Sequence, residues 1–451
     1  MNTPTPLMPD SAATAATAAA TDNAAAIATA ARGIRVDALD YEPGVTRHGS
    51  RHQPNIYDAK VENPFSQAIV ELGELARSWN LERIEHLVVH EGRRAVWGGA
   101  AWDSPLLRAT DTIPASIMEL WRKESHRSER IAEDTFHIPS EFCSMIKTMI
   151  GRWHTKRDDP IKRILAFSSG CEPMSMVIEH ARNIGYEVYT LEGVTAFKVG
   201  EGLENRAKFL AAELRKASVW LQGKPVDEDR LSAEIRLKNA ALKKVARILD
   251  LRLKRPFDIG SIEVMWLLGG SSGYFGNPGK YFEILDRLLA ELEEAAKTPE
   301  TRPSLPLILA GGPPGGLSFF QLLEKADAVL VGFVLLGTSL YREDMPPLES
   351  LAHYLFESQL RGELGEATGA SALLRRRGIE ALIEKTGARG LISSAITACP
   401  YASLVQQLER NHFRKQGFPI VALEHTVHND PTTEEQTMKI KAFLEQLSES
   451  F

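Results

Sequence analysis

The chain has 451 residues, of which 25% are charged and 43% hydrophobic, and it carries a net charge of −6. This balance excludes a disordered or fibrous chain, and the length is enough for two or three domains with cores that need neither disulfides nor structural zinc. The longest uninterrupted apolar run, around Ala328 to Gly337, falls well short of the ~18 to 20 residues of a spanning helix, and basic residues are scattered rather than banked, so neither membrane nor nucleic acid is expected as a partner. Three cysteines is an odd number. It excludes a fully paired disulfide framework and points to a reducing, cytoplasmic compartment.

Residues 1–54 read as a disordered tail, Ala/Thr-rich to about residue 31. No Lys or Arg precedes Arg32, so the basic start of a secretory signal is missing, as is the Arg-rich character of a transit peptide. Phe65, Ile69, Leu72, Leu75 and Ala76 fall at helical spacing, and a strand-like run follows at His86 to His90. Ser104 and Pro105 open a helix after the Gly98-Gly99 loop. Ile161 to Phe167 then reads as a strand, Ser168 to Glu172 as a loop, Met174 to Asn183 as a helix entered through Pro173, and Val188 to Leu191 as the next strand. Strand, loop, helix, strand is the rhythm of a parallel sheet. From Gly202 to Arg255 the chain is long, charged and helical, with Leu231, Ile235, Leu242, Val245, Leu249 and Leu253 on one face and Pro256 as the stop. The βαβ rhythm returns at Leu305 to Ala310, Phe319 to Lys325 and Ala328 to Val331. It continues at Gly390 to Ala398, Tyr401 to Lys415 and Ile420 to Leu423. The expectation is an α/β chain with a first doubly wound domain over 55–200, a helical segment over 201–260 and a second such domain over 261–451.

The glycine-rich loops tempt a nucleotide reading. Gly269 to Gly279 ends in Gly279-Lys280, but Tyr274 stands where the Walker pattern needs its first Gly and Tyr281 where it needs Ser or Thr. Gly311 to Gly316 follows a strand and precedes a helix, yet two prolines remove N–H groups that a pyrophosphate would use. His425-x-x-His428 follows a strand without an evident third metal ligand, and no Gly-x-Ser-x-Gly elbow is present.

The cysteines form a different pattern. Cys143 lies just before a helix, and Cys171 and Cys399 each follow a strand at a strand-to-helix turn, the side of a parallel sheet where ligands bind. Helix amino ends favour the thiolate, the form that ligates metal. Three thiolates suit a 4Fe-4S cubane with one iron left open. The alternative is that free Cys serves as a small buried hydrophobe.

These segments resemble a known family. Cys143-Ser144-Met145-Ile146-Lys147 is similar to the "C-[PST]-x-[VI]-[KR]" signature of the 2-hydroxyacyl-CoA dehydratase and benzoyl-CoA reductase family, the Cys171 segment to its "C-D-x-x-K-K-M" turn, and Ala398-Cys399-Pro400-Tyr401 to its "F-C-D-P-Y" turn. Pro306 to Tyr341 resembles the "GSP…GTRY" block and Gly417 to Phe443 the carboxyl segment, so the likeness runs from about Gly92 to Leu447. It implies two flavodoxin-like α/β domains around a 4Fe-4S cluster held by Cys143, Cys171 and Cys399. It further implies a paralogous second subunit, an ATP-hydrolysing activator with its own 4Fe-4S cluster, and an acyl-CoA substrate reduced by single electrons. The product of that step is either a ketyl radical that loses hydroxide or a dearomatised ring. Asp103, Ser144 and His137 are candidates to face the open iron, each against an ordinary cap or surface role. Departures exist: Glu172 and Pro173 stand where Asp-Gly often follows the second cysteine, and Pro400 where Asp follows the third. They leave open a non-catalytic electron-transfer or scaffold subunit, and, outside the family, a cluster-free α/β binding protein with its cysteines in the core.

Overall fold

After a short antiparallel pair, β1 (Ile34–Arg35) with β2 (Lys60–Val61), the chain builds two sheets whose strands alternate between two apolar layers. In β3 (Arg94–Gly98), Ala95 and Trp97 enter one layer and Val96 the other. A strand buried on both faces needs helices on both sides, which is the parallel-sheet solution. The computed structural model describes residues 34–35, 55–98, 105–116, 125–155, 159–167, 171–192, 202–334, 337–361, 372–427 and 430–449.

β3 pairs in parallel with β4 (Thr112–Ser116) and β5 (Arg163–Phe167), and β5 with β6 (Glu187–Leu191), giving the order β4-β3-β5-β6. In the second sheet β7 (Leu305–Ala310) pairs in parallel with β8 (Ala328–Phe333) and β9 (Gly390–Ile396), and β9 with β10 (Ile420–His425), giving β10-β9-β7-β8. Counted within each sheet, both orders are 2-1-3-4, the flavodoxin-like arrangement, with the chain reversing direction between its first and third strands. The expectation of two doubly wound α/β units holds.

The helices in chain order begin with α1 (Gln67–Ser78), α2 (Leu81–Glu91), α3 (Pro105–Ala109), α4 (Ser125–Phe136), α5 (Ser144–Thr155), α6 (Glu172–Asn183) and α7 (Leu203–Gln222). They continue with α8 (Glu228–Arg252), α9 (Ser261–Gly273), α10 (Pro278–Ala295), α11 (Gly316–Lys325), α12 (Pro347–Arg361), α13 (Ala372–Thr386), α14 (Pro400–Lys415) and α15 (Glu434–Glu449). Helices α2, α5 and α6 cover one face of the first sheet through Ile84, Met149 and Val177, while α3 and α7 cover the other through Leu107 and Leu214. Around the second sheet, α11 and α15 lie in one layer with Phe320 and Phe443, and α13 and α14 in the opposite one with Ile379 and Phe413. Each such side chain, taken fully out of water, contributes roughly 1.5–3 kcal/mol. Among the described residues no helix is long and apolar enough to cross a membrane.

Three findings go beyond or against the sequence pattern. The strand expected at His86 to His90 is the second half of α2. Asn80 caps that helix by accepting from the Arg83 amide at 2.9 Å, Gly92 ends it at φ 63°, and Ile84 and Leu87 bury one turn apart. Leu87-Val88-Val89 imitates a strand because two β-branched residues adjoin, but Val89 is turned to solvent. The helical stretch 202–255 is two helices, broken where Gly223 takes φ 81° and Asp227 caps α8. Its apolar face then divides: Leu231, Ile235 and Leu242 enter the core of the first sheet and Val245 that of the second, where Ile248 and Leu251 are buried with it while Leu249 is only half-buried and Leu253 lies past the helix end. Helix α8, about 37 Å long at 1.5 Å per residue, is a strut between two cores. Finally, α1 precedes the first sheet in sequence but buries Ile69, Leu72 and Ala76 in the core of the second, beside Trp266 of α9. There the Gly269-Gly270 pair lies inside α9, where a Cβ would stand 2.4 Å from Tyr57 Oη and 2.5 Å from the Tyr281 ring respectively. These glycines permit close helix packing.

Candidate functional site at three helix amino termini

Cys171 occupies the capping position of α6, the helix that follows β5, and Cys399 that of α14, the helix that follows β9. β5 and β9 are the third strands of their sheets, so the two cysteines hold equivalent places in two copies of one topology, at the point where each sheet reverses direction. A proline in the first turn, Pro173 or Pro400, sets each helix start without losing a needed N–H. Before Cys399, Ala398 adopts φ 61°, a left-handed conformation uncommon for a residue with a Cβ, and this sharp turn swings the cysteine onto its helix. Cys143 enters from a third direction. Its carbonyl accepts the Lys147 amide at 3.1 Å, so it caps α5.

All three cysteines belong to one apolar layer. Cys143 is buried there, and the half-buried Cys171 and Cys399 pack against the same group, which takes Ile396 and Val427 from the second unit and Met145, Ile146 and Val177 from the first. Two of the sulfurs already accept backbone amides: Cys143 from Ile146 and Met145, and Cys399 from Ala402 at 3.5 Å. Three helix amino ends therefore turn their partial positive charge toward one small region, which favours thiolate. Burial acts the other way and pushes the Cys143 thiol up, the two amides pull it back, and negative charge on Cys399 or Cys171 raises it further. Among the described residues, no group of three or more His, Cys, Asp or Glu stands close enough to hold a single metal ion.

The other candidates separate. Ser144, the first residue of α5, is buried directly beside Cys143. His137 is exposed at φ 52°, in the turn that leaves α4. Asp103 lies outside the described residues, as does His428. His425 is held by Ser394, whose Oγ lies 2.8 Å from its Nδ1, and the opposite edge of its ring fills the space that a Cβ on Gly312 would occupy, 2.7 Å from Nε2. This contact explains a glycine in the turn after β7. Burial holds the His425 imidazole neutral, its pKa lowered to about 4.

One residue of the Cys143 signature was quoted without a role. Lys147, four residues after Cys143, is 1% exposed, and its ammonium lies 2.5 Å from Glu129, 2.8 Å from Glu133 and 2.7 Å from the carbonyl of Ser140. The i, i+4 spacing of the two glutamates places them on one face of α4. The available signal was the basic position that closes the signature, a lysine within an apolar helix turn whose partners had to be sought on another helix.

Two doubly wound units that direct three cysteines from three helix starts into one cluster define an α/β protein with a thiol site at the sheets' carboxyl edges. Residues 103–447 match the 2-hydroxyglutaryl-CoA dehydratase, D-component family, and the chain belongs to that family. No curated protein shows significant similarity to the chain. The match spans all three cysteines, and a D-component is by its description one part of a multi-component dehydratase.

Proposed function

We propose that this chain is the iron-sulfur subunit of an ATP-activated enzyme of the 2-hydroxyacyl-CoA dehydratase type, with Cys143, Cys171 and Cys399 holding a 4Fe-4S cluster. The observation that carries this reading is that the entire thiol inventory of the chain belongs to one apolar layer, Cys143 buried and Cys171 and Cys399 half-buried, each cysteine at a helix amino end. A cubane of this kind takes one cysteine per iron, so three cysteines leave one iron without a protein ligand. A cationic cluster also offsets the burial that disfavours ionisation of Cys143. Bound there, the cluster supplies single electrons of low potential and one iron without a protein ligand. The chain's own part is to hold the sulfurs, donate amides to them and keep water out with Met145, Ile396 and Val427.

The substrate under this reading is an acyl-CoA thioester, and the partners are a paralogous subunit and an ATP-hydrolysing activator with its own 4Fe-4S cluster, all in the reducing cytoplasm. A second reading, an electron-relaying or scaffold subunit of such a complex, draws support from Glu172-Pro173 and Pro400 beside the second and third cysteines. Aromatic ring reduction of the benzoyl-CoA type is the alternative chemistry at the same site. Anaerobic purification tests the main reading: about four irons per chain, lost when any one cysteine is changed to Ser, is expected. A colourless, iron-free protein overturns it. Acyl-CoA bound to this chain at its cysteine edge separates the catalytic subunit from the relay.

A further inference from the structure

We infer that Lys147 is a positioning residue for Cys143, tying the ligand turn to helix α4. The inference deepens the reading of Cys143 as a cluster ligand and names what holds it. The turn from His137 to Phe142 leaves α4 through a left-handed residue and is exposed at His137, Ser140, Glu141 and Phe142, so it has little packing of its own. Lys147 supplies the missing restraint from behind. Its ammonium is nearly sealed from water and makes three contacts: the Ser140 carbonyl, three residues before Cys143, and the carboxylates of Glu129 and Glu133 on α4. Its own backbone amide bonds the Cys143 carbonyl. The Lys147 side chain therefore ties the turn before the cysteine to α4, while the helix's own backbone bond holds the cysteine from the other side. A buried ammonium keeps such an arrangement because leaving any one partner unmet is costly.

The test reads the thiol rather than turnover. In metal-free protein under native conditions, the alkylation rates of Cys143, Cys171 and Cys399 are followed separately by mass spectrometry. Loss of a charge-assisted tie makes local opening easier, so Lys147→Met is expected to raise the Cys143 rate about tenfold while the other two cysteines keep theirs. Lys147→Arg is expected to restore slow modification. Because Lys147→Met strands two buried carboxylates, the same measurement is made on the variant that adds Glu129→Gln and Glu133→Gln, which leaves no uncompensated charge. An unchanged Cys143 rate in both variants, or an equal rise at all three cysteines, overturns the inference. The iron content of the wild-type protein is a separate readout. Iron-free wild-type protein with a Cys143-specific rise keeps the positioning role and removes the cluster.

Discussion

A Cβ placed on Gly151 of α5 would stand 1.8 Å from the backbone carbonyl oxygen of Ser128 on α4. The two helices touch backbone to backbone at this point, one turn beyond Lys147. Nothing flexible lies opposite, so Gly151→Ala forces the helices apart and is expected to cost about 3 kcal/mol, at the upper end of ordinary overpacking. Gly273, with open space around it and no positive φ, is the control: Gly273→Ala is expected to be neutral or to stabilise by roughly 0.4–1 kcal/mol. Chemical denaturation of both variants checks the pair, and equal stability would remove the close contact as an explanation.

The buried pair Arg375 and Glu409 joins α13 to α14, the helix that Cys399 caps, and Glu409 also accepts from Ser393 Oγ on β9 at 2.9 Å. Gln406 adds bonds to the carbonyls of Ser393 and Leu423, fixing α14 against both strands. Glu409→Gln leaves the guanidinium without its counter-charge, and a loss of about 3–5 kcal/mol is expected from the denaturation midpoint. The double change Arg375→Met with Glu409→Gln is expected to recover part of it.

His425 predicts a pH dependence. Its folded pKa, about 4, lies below the ordinary value near 6.5, so the unfolded chain binds the extra proton first as pH falls. The stability contributed by the neutral imidazole is complete above about pH 6.5 and is lost progressively toward pH 4, by a few kcal/mol in total. The difference in unfolding free energy between wild type and His425→Gln, measured across that interval, should shrink as pH falls. A difference that does not vary with pH places the effect elsewhere.

Peroxide should distinguish the three cysteines of metal-free protein. Burial both covers the Cys143 sulfur and disfavours its thiolate, while Cys171 and Cys399 are half-buried. The expected order under peroxide is Cys171 and Cys399 first, Cys143 last, with the Cys143 rate rising as pH increases. Peptide mapping of sulfinic acid products reads the order directly.

How far the sequence carried differs from element to element. Strands such as β7 were legible because a run buried on both faces has few other structures open to it, and Cys171 and Cys399 were legible because a strand-to-helix turn is a local pattern. The stretch Leu87-Val88-Val89 misled because local β-branching outweighed a cap at Asn80. The apolar face of α8 was legible from Leu231 to Val245, but beyond it Ile248 and Leu251 are buried rather than Leu249 and Leu253, and its division between two cores was not legible. Periodicity tells which side of a helix is apolar and says nothing of what meets it. The same limit concealed the role of Lys147, whose carboxylate partners lie on α4 and whose burial only tertiary packing creates. Of the residues suggested to face the site, Ser144 is buried beside Cys143, His137 is exposed, and Asp103 lies outside the described residues.

The division of the thiols between two sheets has a consequence for synthesis. Cys143 and Cys171 are complete with the first sheet, but Cys399 follows Cys171 by 228 residues and needs β9 and α14 before it can take its place. At ~5–20 residues per second, a nascent chain spends on the order of ten seconds or more with two of its three thiols in position. Closure of the site therefore reports that the second sheet has formed.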